Sequence, residues 1–136
     1  MHEKAEAEKT IAVGLYKEAG KLKKDPEAKA AKVKEALAAF TRAAEIEPTN
    51  MAYINNRAAC MFELKQYDEC IEECKKAMEV GREQRADYQM LAKALAREGN
   101  CYYAQEKFAA AIEIYDKSLM EDHDDKVYRY AEDDEE

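Results

Sequence analysis

Val33, Ala36, Phe40, Ala43 and Ile46 recur 34 positions further on as Tyr67, Cys70, Cys74, Ala77 and Val80. Phe108, Ala111, Tyr115 and Ser118 repeat the pattern again, 41 positions after the second copy. Spacings of three and four put each set on one face of a helix. The small members let paired helices approach closely, and the large ones fill the neighbour's groove. A period near 34 therefore calls for a unit of two helices and a turn. Such a unit cannot bury its apolar face alone and must stack on copies of itself. With only 4 Gly and 2 Pro in 136 residues, a turn-rich β architecture has little to build on.

Each copy also needs a first helix. Ala12, Ala58 and Gly99 suit its close-contact position. Ala12 and Ala58 are 46 apart, twelve beyond the period, while Ala58 and Gly99 are 41 apart, seven beyond it. Asp25-Pro26-Glu27 reads as an N-cap, a first-turn proline and an early acid. The first surplus thus predicts a helix from Glu3 to about Lys24 and another beginning at Pro26, each longer by about six residues, or roughly 9 Å. Leu15, Ala19 and Leu22 are expected to face Ala28, Ala31 and Val33 across that hairpin. The second surplus, Gly81 to Asp87, predicts a longer first helix in the third repeat, with Gly81 ending the helix before it. Pro48, followed by Thr49-Asn50, separates the first copy from the second. The expected division is one domain over 3–120, with repeats at 3–47, 51–80 and 82–120. A partial capping helix over 121–131, with Asp125 capping Lys126 to Ala131, and an acidic disordered tail over 132–136 should follow.

Net charge is −8, unevenly spread. From Glu121 to Glu136 nine acids face two bases, which leaves 21 acids and 20 bases in the preceding residues. The folded part is nearly neutral and can carry a local basic groove. Overall acidity argues against nucleic acid as a partner. No apolar run approaches the roughly 20 residues that span a bilayer, and no signal peptide is evident. Cys60, Cys70, Cys74 and Cys101 form no CxxC pair and read as small packing residues, which suits a reducing cytoplasm. His2 and His123 have no partner at catalytic or metal spacing. Without a nucleophile–base pair, a Gly-rich phosphate loop or a metal set, neither an enzyme nor a cofactor is expected.

A period of 34 with this pattern is that of the tetratricopeptide repeat (TPR). The expected fold is all-α: three TPR helix-turn-helix repeats forming a right-handed superhelix with a concave peptide groove. The first helix of each repeat lines that groove. With the small close-contact residue counted as position 8, Lys9 is position 5 of repeat one and Asn56 is position 6 of repeat two. Lys93 and Arg97 are positions 2 and 6 of repeat three. These last two are four apart on one helical face, while Leu91 and Leu95 pack elsewhere. Three cations and one carboxamide would then surround a space suited to a carboxylate, which forms charge-assisted hydrogen bonds worth about 1.5–3 kcal/mol each. Asn100, Tyr67, Tyr102, Tyr103 and Tyr115 are expected to pack between helices.

The constellation resembles the carboxylate-clamp TPR domains of co-chaperones. Pro48-Thr-Asn-Met-Ala-Tyr-Ile-Asn-Asn-Arg-Ala-Ala59 and Glu79-Val-Gly-Arg-Glu-Gln-Arg-Ala-Asp-Tyr-Gln-Met-Leu-Ala-Lys-Ala-Leu-Ala-Arg-Glu-Gly-Asn100 are similar to the central TPR domain of the Hsp70–Hsp90 organising family. The likeness runs from about Lys9 to Glu121, apart from the hairpin extension. It implies docking of the C-terminal EEVD peptide of heat-shock protein 90 (MEEVD), with clamp roles for Lys9, Asn56, Lys93 and Arg97. It also implies contacts from Tyr16 and Glu63 to residues upstream in the peptide. The family carries Asn at position 9 of repeat one, where this chain has Val13, and loss of that donor would weaken binding roughly ten- to hundredfold. Alternatives are the heat-shock protein 70 tail, or a scaffold binding an internal segment without a carboxylate. The acidic end Asp133-Asp-Glu-Glu136 is itself a candidate occupant of the groove.

Overall fold

A computed structural model describes residues 2–122. The expected capping helix, His123 and the acidic tail, including its possible place in the groove, lie outside those residues. Six helices and no strand make up the described chain: α1 (His2–Gly20), α2 (Pro26–Ile46), α3 (Met51–Glu63), α4 (Tyr67–Glu83), α5 (Tyr88–Ala104) and α6 (Phe108–Asp122). None is long and apolar enough to cross a membrane. Each helix packs on the next in sequence, and α3 also touches α5 directly. This is the all-α TPR arrangement that the periodicity predicts.

The register is visible in the burial. Ala12, Ala58 and Gly99 are all buried, as are Ala36, Cys70 and Ala111 on the second helices and Ala43, Ala77 and Ser118 one face-turn further on. Ser118 satisfies its hydroxyl by donating to the Ala92 carbonyl at 2.7 Å, the partner that a buried polar group requires. Apolar clusters run continuously along the stack. Ala12, Ala19, Val33, Phe40 and Cys60 pack together at one end, and Ile54, Ala77, Leu91 and Leu95 at the other. All four cysteines are buried and free. Cys70 donates its thiol hydrogen to the Ala58 carbonyl at 3.2 Å.

Local caps set where helices begin. Asp25 accepts from the Ala28 amide at 3.1 Å with Pro26 in the first turn of α2. Asn50 accepts from Ala52 and Tyr53, and Asp87 accepts from Gln89 at 2.7 Å. These side-chain acceptors satisfy amides that would otherwise lack partners at a helix start.

The surplus residues fall differently from expectation. α1 stops at Gly20 rather than Lys24, and the chain reverses through 3₁₀-type bonds from Lys21 to Glu18 and from Leu22 to Ala19. Tyr67 and Phe108 open α4 and α6, whereas the equivalent Val33 is the eighth residue of α2. Seven of the twelve extra residues therefore project from the front of α2, three extend α1, and two widen the turn. Ala19 and Val33 are buried in this hairpin, but Ala31 faces solvent. Gly81 does not end α4, which continues to Glu83. A Cβ at Gly81 would lie 2.5 Å from Met51 Sδ and 2.8 Å from Leu91 Cδ2. The glycine serves close helix approach, not a left-handed helix end. The second surplus is shared between the end of α4 and the start of α5.

Candidate peptide-binding groove

The first helix of each pair carries every candidate residue: α1 holds Lys9, Val13 and Tyr16, α3 holds Asn56 and Glu63, and α5 holds Lys93 and Arg97. Val13, Tyr16 and Lys17 of α1, Asn56 and Ala59 of α3, and Phe40 of α2 enclose a hollow of about 200 Å³. Val13 and Tyr16 also pack on the core cluster beneath. Position 9 of repeat one thus presents an apolar wall to the hollow that Asn56 enters from the opposite helix.

Arg97 reaches this region from α5. Its guanidinium donates through Nη1 to the Asn55 carbonyl at 3.2 Å, one residue from Asn56. Its charge acts as far as α1. Burial pushes the Tyr16 phenol up to about 12, with the Glu63 carboxylate adding to the rise and Arg97 opposing it. Cys60 on α3 is likewise pushed up to about 12, by burial first, and again Arg97 acts against the rise. One half-buried cation on α5 therefore bonds to α3 directly and acts through its charge on Tyr16 of α1. Asn55, which the sequence did not single out, is 8% exposed, and its Oδ1 has no hydrogen-bond partner among the described residues.

Tyr16 and Glu63 meet: the phenol donates to Glu63 Oε1 at 3.5 Å. The other Glu63 oxygen lies 3.5 Å from Lys29 Nζ on the overhanging part of α2. Lys9 lies 3.8 Å from Glu6, whose carboxylate also accepts from the buried Tyr53 hydroxyl. That hydroxyl bond is the main reason the Glu6 carboxyl is held below its ordinary range. Lys93 is exposed and lines a separate hollow with Gln89, Ala92, Ala96, Ser118 and Leu119, between α5 and α6. The structure thus brings Val13, Tyr16 and Asn56 around one space, with Glu63 bonded to Tyr16 and Arg97 bonded to the Asn55 carbonyl at its edges. Lys9 and Lys93 are placed one turn before Val13 and Arg97 on their helices.

Other candidates fall outside this space. Asn100 accepts from the Tyr115 hydroxyl at 2.6 Å. Tyr103, expected to pack between helices, is 61% exposed and meets only the edge of Phe108 among aromatic partners in the described residues. His2 pairs with Glu47 at 2.7 Å, joining the start of α1 to the end of α2.

Residues 49–119 match the tetratricopeptide repeat family. The chain belongs to that family. It is 41% identical over 90 residues to stress-induced-phosphoprotein 1 of Caenorhabditis elegans, a match that takes in 66% of this chain and 28% of the relative. It is 44% identical over 86 residues to the Hsp70-Hsp90 organizing protein of Triticum aestivum, covering 60% of this chain and 15% of the relative. The chain thus spans well under a third of the length of either. Among solved structures, the N-terminal domain of stress-induced protein-1 from C. elegans superposes with a TM-score of 0.77 at 34% identity, covering 100% of this chain and 98% of that one. The TPR2AB-domain:pHSP90 complex of yeast Sti1 gives 0.66 at 35% identity, covering 82% and 41%. The likeness to TPR domains of the Hsp70–Hsp90 organising family is therefore found in both sequence and fold.

Proposed function

We propose that this chain is a docking module that captures the C-terminal EEVD-type peptide of heat-shock protein 90. Lys9, Asn56, Lys93 and Arg97 hold its terminal carboxylates beside Val13, and Tyr16 and Glu63 line the path of the residues before them. The observation that carries this reading is the hollow shared by Val13, Tyr16 and Asn56 of two first helices, with the Arg97 guanidinium of the third bonded to the adjacent Asn55 carbonyl. A half-buried guanidinium beside a carboxamide is a strong receptor for a carboxylate, because both its hydrogen bonds and its charge act in a partly desolvated place. The kinship with organising-protein TPR domains, and a relative solved with a heat-shock protein 90 peptide, supports the same partner.

Isothermal titration of an MEEVD peptide tests it. Lys93→Ala and Arg97→Ala should each weaken binding at least about tenfold, the worth of one charge-assisted hydrogen bond. Unchanged affinity in both variants, with helicity intact, would contradict the assignment. Competition with the heat-shock protein 70 tail peptide fixes the preference between the two chaperones.

A further inference from the structure

The feature that sets the first hairpin apart is the overhang of α2. Pro26 to Lys32 precede the point at which the other second helices begin, and seven residues of helix extend about 10 Å. This overhang stands beside the turn that joins α3 to α4. Between them lies a hollow of about 590 Å³, lined by Pro26, Lys29, Ala30, Val33 and Lys34 of α2 and by Glu63 to Gln66 of the turn. Three lysines, Lys29, Lys34 and Lys65, face it from two elements, against one acid, Glu63.

The charges in the hollow are not equivalent. Lys29 lies 3.5 Å from Glu63, so that pair largely neutralises itself. Lys34 and Lys65 are exposed, and neither has an acid within 4 Å among the described residues. Lys65 is fixed on the turn with φ of 61°, its amide donating to the Phe62 carbonyl at 3.0 Å. Glu63 links the two spaces. It accepts from Tyr16, which lines the peptide hollow, and it forms part of the wall of the lysine hollow. The two are neighbours joined by the Tyr16–Glu63 hydrogen bond.

We propose that the lysine hollow is a second subsite, which takes carboxylates of the docked peptide upstream of its C-terminal motif. The inference rests on the docking reading above. Lys9 to Tyr16, like Asn56 to Glu63, spans seven helical residues, about 10 Å, which an extended peptide crosses in about three residues. Beyond Glu63 the chain reaches Lys34 and Lys65, so acids four or more residues before the terminus fall within their range. The chain's net charge of −8 provides no general attraction for such a peptide. Any preference for upstream acids must therefore be local.

Fluorescence polarisation with three labelled peptides, MEEVD, EDEMEEVD and QNQMEEVD, tests this at low salt. EDEMEEVD should bind about fivefold more tightly than QNQMEEVD, the gain two exposed ion pairs can supply. Lys34→Glu with Lys65→Glu should abolish that ratio and change MEEVD affinity less than twofold. A control pair on other exposed positions, Lys76→Glu with Lys107→Glu, should leave the ratio intact. Equal binding of the two long peptides to the unaltered chain, or equal loss of the ratio in both double variants, overturns the second subsite while leaving docking in place. Failure of MEEVD itself to bind overturns the docking reading, and this subsite with it.

Discussion

At Gly99 a Cβ would lie 2.6 Å from the Tyr115 ring, and that ring is anchored by its hydroxyl to Asn100. At Gly14, in the middle of α1, a Cβ would meet nothing within 4 Å. The same substitution should therefore have opposite signs. Gly99→Ala is expected to destabilise by about 1–3 kcal/mol through overpacking. Gly14→Ala should stabilise by about 0.5–1 kcal/mol, because a helix interior favours Ala. Urea denaturation of both variants checks the pair, and a stable Gly99→Ala would remove the close-contact register. Val13 is a second single-residue test. It lines the space opposite Asn56 and also packs on the core. Val13→Asn should tighten MEEVD binding about tenfold by adding a donor, at some loss of packing stability. Titration showing no gain would mean that position 9 of repeat one does not face the ligand. The candidate residues on α3 and α5 were legible because their register follows from fixed spacings to Ala58 and Gly99. Asn55 was not legible, since its neighbour Asn56 occupies the groove position and nothing in the sequence marks a carbonyl that Arg97 will use.

The helices were legible where side-chain periodicity defines them, and less so where they end. Asp25-Pro26 announced the start of α2 because a cap and a first-turn proline act locally. Gly81 misled because glycine serves two purposes. Here it admits Met51 and Leu91 against α4, a tertiary demand that no local pattern reveals. The same limit applies to Glu98 on α5, which is 4% exposed. Burial holds its carboxyl above the ordinary range, opposed by Lys75 of α4, a bond from Tyr102 and Lys117 of α6, and reinforced by Glu72 of α4. A raised folded-state value means that its contribution to stability is fully present below the unfolded value and is lost as pH rises through the folded one. Glu98→Gln should remove that dependence. Relative to the variant, the unaltered chain should gain stability as pH falls from 7 to below 4.5. Paired denaturation curves across that range check it, and a constant difference would contradict the burial of Glu98 between these helices.

As a whole, the molecule brings together residues remote in sequence: Tyr16 and Asn56 share a hollow, and Arg97 bonds to Asn55 beside it, only because three hairpins stack. The periodicity made that stack readable, and the first-hairpin surplus hid how its twelve residues divide, because spacing alone does not say which arm grows. The stack's proposed task is to recognise a chain end rather than a chain. A C-terminal amide keeps every side chain of MEEVD and removes only the terminal charge, so it isolates the claim. Calorimetric titration of MEEVD acid and MEEVD amide into this protein should show the amide binding at least about tenfold more weakly. Affinities within twofold of each other would contradict capture of the terminal carboxylate and favour a groove that reads an internal segment.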